Sequence, residues 1–141
     1  MNIKNKFDLI LASRSPRRRE LLGMTKLPFL VIPAQVEEVS EHTNPVDHCI
    51  SVTEKKGVDV YNFCESFSDF GETFFPLVIS SDTLISFEDE ILGIPMDVVE
   101  AREILQKLSG KTHQVITAVS FMAIDRDSQK LKIKSFIVQQ M

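Results

Sequence analysis

The hydrophobic positions along this chain fall into short apolar runs separated by stretches with helical spacing. The runs predict strands, and they cover residues 7–12, 29–32, 77–80, 84–87, 91–92, 113–124 and 131–138. The fourth and fifth runs predict a hairpin around three acidic residues, and a turn is expected at residues 125–128 before the last strand. The long run at 113–124 is apolar on both faces, which is typical of a central strand.

Three stretches between these runs carry the signals of helices. The first begins after Ser15 with Pro16 at its first position, and it ends near Gly23. The second begins at Asn44 and keeps a helical period of apolar residues through residue 64, while the third begins at Asp97 with a capping-box pattern. Strands mixed with helices in this order predict an α/β domain with a mixed β-sheet flanked by helices.

Composition and charge favour one globular domain and disfavour several classes of protein. The 141 residues are 43% hydrophobic, which is enough for a core, and we treat residues 1–141 as a single domain. The formal net charge of −4 disfavours a general nucleic-acid surface. No apolar stretch approaches the about 20 residues of a membrane span, so we expect a cytoplasmic protein without a membrane partner. Cys49 and Cys64 are interpreted as buried thiols.

Arginines at the start of the first helix form the first candidate site. Residues 13–19 read Ser-Arg-Ser-Pro-Arg-Arg-Arg, which puts cations where the helix dipole is already positive. Each cation there costs about 0.3 to 1 kcal/mol unless an anion is bound. Serine hydroxyls, free backbone N–H groups and guanidinium groups suit the oxygens of a phosphate chain. A solvated basic turn that pairs with Glu20 is the alternative that the sequence leaves open.

Acidic residues and one lysine form further candidates. Residues 80–83 follow a predicted strand, and Asp82 there can accept a proton from water or hold a divalent metal. Glu37 and Glu38 are adjacent carboxylates that can share a hard metal such as Mg²⁺ with Asp82. Lys56 on the second helix can reach a phosphate. A turn residue, a solvated acidic loop and a solvent-facing lysine are the structural alternatives.

Taken together, these motifs resemble the Maf family of nucleotide pyrophosphatases through essentially the whole chain. The residues similar to the family's motifs are the opening signature at 11–18 with 20–22, Glu38 in the loop, Lys56 with Gly57 on the helix, 81–83 at the strand end, and 108–117 between helix and strand. The resemblance implies a Maf/ITPase-like fold, truncated at the C-terminal lobe.

The resemblance also implies a reaction and a set of residue roles. A nucleoside triphosphate would be hydrolysed between its α- and β-phosphates to a monophosphate and pyrophosphate, with Mg²⁺ or Mn²⁺, to remove noncanonical or modified nucleotides. Asp82 would be the catalytic proton acceptor, and Glu38 and Asp82 would bind the metal. The implied substrate-binding residues are Ser13, Ser15, Arg17, Arg18, Glu38, Lys56 and Thr83.

Two features differ from the family's pattern. Ile94 precedes Pro95 where the family has a lysine, and one lost charge-assisted contact costs about 2 to 4 kcal/mol in a transition state. The chain also lacks the C-terminal part of the family, so we expect an incomplete domain whose apolar strand at residues 131–138 makes a homodimer a candidate assembly. A catalytically weak or inactive nucleotide-binding remnant and a purely structural module remain as alternatives.

Overall fold

The computed structural model describes residues 7–37, 40–125, 128 and 130–140. Its elements in chain order are β1 (Asp8–Leu11), α1 (Pro16–Gly23), β2 (Phe29–Val31), α2 (Pro45–Cys64), β3 (Pro76–Phe87), β4 (Glu90–Leu92), α3 (Val98–Leu108), β5 (Gln114–Asp125) and β6 (Lys130–Gln140). The predicted α/β architecture is confirmed, and the helix starts agree with the prediction because Pro16, Asn44 and Asp97 mark them in the sequence.

A single mixed sheet of six strands runs through the described part of the chain. Its order is β2-β1-β3-β5-β6, and β4 pairs with β3 beside this path. β1 is parallel to both β2 and β3, whereas β4 and β5 are antiparallel to β3 and β6 is antiparallel to β5. The long strands β3 and β5 form the centre of the sheet, as the apolar run at residues 113–124 predicted.

The third strand is longer than the sequence predicted. The prediction ended it at residue 80 with Asp82 at its carboxyl end, but β3 continues to residue 87, so this prediction was wrong. Ser80 and Ser81 remain in the strand because their hydroxyls donate hydrogen bonds to the carbonyl oxygens of Thr53 and Ala118, each at 2.8 Å. Buried hydroxyls that find such acceptors do not interrupt a strand.

One side of β3 is open at Asp82 because its neighbours there end early. β1 pairs with β3 as far as Leu11 opposite Ile79, and β4 pairs again from Ile85 opposite Leu92. Between these points, none of the strands in the described ranges lies along that side of β3. Asp82 therefore lies in the part of β3 that has a described neighbouring strand, β5, on one side only.

The hairpin expected at residues 84–92 is confirmed. Ile85 pairs with Leu92 and Phe87 pairs with Glu90. The two linking residues, Glu88 and Asp89, have φ of 52° and 62°, the left-handed conformation that tight hairpin turns require. Part of the turn expected at residues 125–128 lies outside the described residues.

The core lies between α2 and one face of the sheet. Its fully buried side chains include Ile10, Cys49, Val52, Val60, Cys64, Val78, Ile116, Ala118 and Met122. Gly57 allows the close approach of α2, since a Cβ atom there would lie 2.9 Å from the Ser80 Oγ and 3.0 Å from the Met122 Cε. Cys49 and Cys64 are free and buried, which confirms the interpretation of both as thiols.

The opposite face of the sheet is covered only in part. A groove of about 780 Å³ lies there between α1 and the strands, and its walls are mostly apolar, with Leu9, Leu77, Ile79, Val119 and Phe121 among them. In α3 no residue is buried, and its apolar side chains Val98 and Leu105 are 73% and 68% exposed. Over the ranges that the structure describes, no helix combines the length and apolar content of a membrane-crossing segment.

Candidate functional site

The loop between β1 and α1 holds its hydroxyl groups in a fixed arrangement. Ser15 is the N-cap of α1, and its hydroxyl accepts a hydrogen bond from the backbone N–H of Arg18 at 3.2 Å. Ser13 is almost buried, and its hydroxyl accepts the N–H of Ser15 at 3.1 Å. The first turn of α1 carries no acidic residue, so no carboxylate in that turn offsets the positive N-terminal dipole of the helix. This helix start is therefore suited to an anion.

A polar cavity of about 520 Å³ opens at the start of α1. Its polar walls are Ser13, Arg14, Ser15 and Arg18 from the β1–α1 loop and helix, Gln35 and Glu37 from the segment after β2, and Lys56 from α2. Among these lining residues three cations face one carboxylate. The cavity therefore has the size and the positive character to receive a polyanion.

Lys56 and Asp82 connect the cavity to the central strand. The Lys56 Nζ lies 3.3 Å from the Asp82 Oδ1, and each side chain is only 13% exposed. Lys56 also lines the cavity, so the side chain of Lys56 links the carboxylate of Asp82 to the cavity wall. Little water surrounds the pair, and its electrostatic attraction is screened less than that of a surface pair.

Cys49 supports the strand behind Asp82. Its thiol donates to the carbonyl oxygen of Asp82 at 3.4 Å and lies 3.7 Å from that of Ile116. Burial, and next the negative charge of Asp82, raise the pKa of the Cys49 thiol to about 11. The thiol therefore stays protonated at neutral pH and acts as a weak donor.

Arg18 joins α1 to the sheet through a short hydrogen-bond chain. Its Nη2 donates to the Thr83 Oγ1 at 3.0 Å, and the Thr83 and Thr117 hydroxyls are 3.0 Å apart. Arg18 lines both the polar cavity and the apolar groove. The guanidinium therefore lies at the boundary between the two, oriented by β3 and β5.

The structure brings most of the predicted site residues together. Ser13, Ser15, Arg18 and Lys56 line one cavity, Asp82 adjoins it through Lys56, and Thr83 adjoins it through Arg18. Arg17 lies apart: it is exposed, its Nη1 lies 3.5 Å from the Glu20 Oε2, and it borders the apolar groove. Glu38, predicted to bind substrate and metal, lies outside the described residues.

Sequence reasoning did not single out three of the residues at this site. Arg14 lies within the predicted arginine motif, and only the path of the loop shows that it faces the cavity. Gln35 reaches the cavity because the segment after β2 is held against α2, where the Gln35 N–H donates to Asp59 at 2.9 Å. Thr117 pairs with Thr83 across β3 and β5, which only the strand register reveals.

The donor groups of this site fit a metal shared with a ligand better than a closed protein cage. Within the described ranges no group of three His, Cys, Asp or Glu side chains could enclose a metal ion. Mg²⁺ is commonly held by one or two carboxylates together with substrate phosphates. Asp82, whose partner Lys56 lines the polar cavity, is compatible with that kind of coordination.

Sequence comparison identifies the family. The family profile described as Maf-like protein matches residues 8–140. Relatives named dTTP/UTP pyrophosphatase include one from Bacillus thuringiensis subsp. konkukian (strain 97-27), 41% identical over 119 residues that make up 84% of this chain and 58% of that protein. Another, from Bacillus cereus (strain ATCC 10987 / NRS 248), is 40% identical over 124 residues, 87% of this chain and 57% of that protein. The chain belongs to the Maf family and spans somewhat less than three fifths of these relatives' length.

Two solved structures are similar to the chain at low sequence identity. The Ham1 protein of Staphylococcus aureus aligns with a TM-score of 0.47 and 14% identity, over 94% of this chain and 70% of that one. A HAM1 protein from Coxiella burnetii aligns with a TM-score of 0.47 and 11% identity, over 95% of this chain and 72% of that one.

Proposed function

We propose that this chain forms the phosphate-binding and catalytic part of a nucleoside triphosphate pyrophosphatase. Its substrates would be noncanonical or modified nucleoside triphosphates, which it would hydrolyse to a monophosphate and pyrophosphate. The observation that carries the proposal is the cavity at the start of α1, which Arg18 and Lys56 line, together with the contact between Lys56 and the carboxylate of Asp82. The names of the relatives support pyrimidine triphosphates as the first substrates to test.

The triphosphate would be held by charge and by the helix start. Its phosphate oxygens would accept hydrogen bonds from the Arg18 guanidinium and the Lys56 ammonium, with the N-terminal dipole of α1 adding to both. Ser13 and Ser15 would shape the loop that carries these donors, since their hydroxyls are already engaged with backbone N–H groups. Thr83 would hold Arg18 in its orientation.

Asp82 would act on the attacking water. Its carboxylate would take a proton from a water whose oxygen attacks the α-phosphorus, and the bond from that phosphorus to the bridging oxygen would break. The two electrons of that bond leave with pyrophosphate, whose negative charge Lys56 and Arg18 would stabilise. Lys56 would also keep the carboxylate of Asp82 oriented before substrate binds, because the two groups lie 3.3 Å apart.

A divalent cation, Mg²⁺ or Mn²⁺, belongs to the proposal. Asp82 and Glu38 would hold it together with phosphate oxygens of the substrate. Bound there, the cation would neutralise part of the charge on the phosphates during displacement.

The surroundings proposed for the protein follow from the same substrate. Free nucleotides occur in the cytoplasm, and the net charge of −4 disfavours a nucleic acid as the partner. We therefore propose a cytoplasmic protein that acts on free nucleotides.

A nucleotide panel tests the proposed reaction. Pyrophosphate release is measured with dTTP, UTP and modified or noncanonical triphosphates, in the presence of Mg²⁺ or Mn²⁺, and nucleotide binding is measured in parallel by calorimetry. We expect release from at least one member of the panel. If no nucleotide of the panel gives pyrophosphate release at high protein concentration, whether or not it binds, catalysis is contradicted.

Binding without turnover is the second candidate, and Ile94 favours it. This residue is 82% exposed and uncharged where the family resemblance places a lysine. If the missing cation limits turnover, Ile94→Lys raises the rate of pyrophosphate release and leaves triphosphate affinity little changed. Equal rates for the wild type and Ile94→Lys remove this reason for preferring a binding protein.

A further inference from the structure

The outer edge of β6 is the long unpaired edge of the described sheet. The sheet ends at β2, with three residues, on one side and at β6, with eleven residues, on the other. An edge of this length offers a row of backbone donors and acceptors to another strand. Its exposed apolar side chains are Leu131, Ile133, Phe136 and Val138, at 40%, 42%, 51% and 55% exposure.

The charges of β6 are confined to one half of the strand. Lys130, Lys132 and Lys134 occupy the first half, and residues 135–140 carry no charge. Lysines are a common protection of edge strands against uncontrolled pairing. Here the lysines protect only the first half of the edge. Pairings that bring two lysines opposite each other are therefore disfavoured, whereas pairings that bring each lysine opposite an uncharged residue are not.

We propose that two copies of this chain pair through β6, antiparallel, about a twofold axis at Ser135. In this register Lys134 lies opposite Phe136 of the partner subunit, and Lys132 lies opposite Val138 of the partner subunit. Ile133 lies opposite Ile137 of the partner subunit on the other face. Each lysine then faces an uncharged residue, and its aliphatic stem packs on an apolar side chain.

Registers shifted toward the start of β6 bring like charges together, and a shift the other way, to an axis at Phe136, pairs only residues 132–140 of the strand. An axis at Lys134 places the two copies of that lysine opposite each other, and an axis at Ile133 places Lys132 opposite Lys134. Parallel pairing in register opposes all three lysines, and like charges directly opposite each other are destabilising. The proposed pairing is also isologous: the β6 edge of each copy pairs with the β6 edge of the other. Neither β6 edge remains free for a third copy, so assembly through this edge stops at a dimer.

Cysteine cross-linking tests the axis. In the proposed register the two Ser135 Cα atoms lie about 4.5 to 5.5 Å apart, within the range of a disulfide. The two Leu131 Cα atoms would be about 27 Å apart at the usual rise per residue. Ser135→Cys should therefore form a covalent dimer under mild oxidation, and the matched control Leu131→Cys should not, while Cys49 and Cys64 are buried.

Two substitutions of opposite charge at position 136 test the register without a covalent cross-link. Phe136→Glu and Phe136→Lys both lose the ring that contacts Phe121, so they differ only in the charge presented to Lys134 of the partner subunit. Sedimentation equilibrium should show a wild-type dimer and a dimer constant roughly tenfold tighter for the glutamate variant than for the lysine variant. A wild type that stays monomeric, equal constants for the two variants, or equal cross-linking at positions 131 and 135 overturns the proposal. These readouts use no nucleotide, so they are independent of the proposed activity.

Discussion

The ammonium of Lys56 lies 3.3 Å from the carboxylate of Asp82, and each side chain is 87% removed from solvent. The two residues come from different elements, the long helix α2 and the central strand β3, and Asp82 lies beyond the last residue of β3 that pairs with β1. A charge pair in this position contributes to the stability of the fold and to the charge beside the cavity. Its two contributions can be separated because stability is measured without nucleotide.

The first prediction is a measurable coupling between these two charges. A double-mutant cycle with Lys56→Met and Asp82→Asn should give an interaction energy of about 1 to 2 kcal/mol in urea unfolding, since each single change leaves a largely buried partner. The control is the exposed pair Arg17 and Glu20, whose interaction energy should stay below about 0.5 kcal/mol. Equal interaction energies for the two pairs contradict the role given to burial.

The second prediction separates two neighbouring arginines. Arg18 lines the cavity, whereas Arg17 lies on the groove side, so the two differ in position although both carry the same charge. Arg18→Ala should weaken binding of a non-hydrolysable triphosphate by roughly tenfold to a hundredfold, and Arg17→Ala by much less. Calorimetry measures both affinities. A larger loss for Arg17→Ala would place the phosphates on the other side of α1.

The third prediction concerns the contact between α2 and the sheet. Gly57→Val adds a side chain where the Ser80 Oγ and the Met122 Cε are already within 3.0 Å of an ideal Cβ. We expect a loss of about 1 to 3 kcal/mol in the free energy of unfolding. Gly23→Val is the matched control, because nothing lies within 4 Å of a Cβ there. Similar denaturation midpoints for both variants would mean that α2 does not pack as described.

The fourth prediction concerns alkaline pH. The pKa of Cys49 is raised from 9.0 to about 11 in the folded protein, chiefly by burial. Below pH 9 the thiol is protonated in both states, whereas above it the unfolded chain loses the proton first, so stability falls as pH rises from about 9 to about 11. Tyr61, whose pKa is raised from 10.0 to about 12, adds to the loss between about pH 10 and about pH 12.

Urea unfolding of the wild type and Cys49→Ser from pH 8 to pH 10.5 measures this dependence. The serine variant should lose less stability over the range than the wild type does, because it has no thiol to titrate. Parallel curves for the two proteins would show that Cys49 is not shielded from solvent as the structure has it.

Much of the fold was predictable because its elements begin and end at residues with strong local preferences. Pro16, Asn44 and Asp97 mark the three helix starts. The hairpin formed by β3 and β4 has acidic residues in its left-handed turn. The length of β3 was not predictable in the same way. Its polar residues 80–83 have the composition of a loop. The carbonyl groups that accept the Ser80 and Ser81 hydroxyls belong to distant elements, and local sequence does not reveal them.

The candidate site was predictable in composition more than in geometry. The arginine motif, Lys56 and Asp82 all stand out in the sequence, and the fold brings them to one place. Which of two adjacent arginines faces the cavity depends on the turn of a short helix, and the sequence alone gave both the same role. The Arg18–Thr83–Thr117 chain depends on the strand register, which local patterns do not determine.

The most direct test of the proposed catalysis is pyrophosphate release from UTP with Mg²⁺ by the wild type and Asp82→Asn. Asp97→Asn is the control, because it makes the same acid-to-amide change at a helix cap, where asparagine also serves. We predict that Asp82→Asn lowers the rate by about a hundredfold to ten-thousandfold and that Asp97→Asn retains it. An Asp82→Asn variant that releases pyrophosphate at the wild-type rate would contradict the role given to this carboxylate.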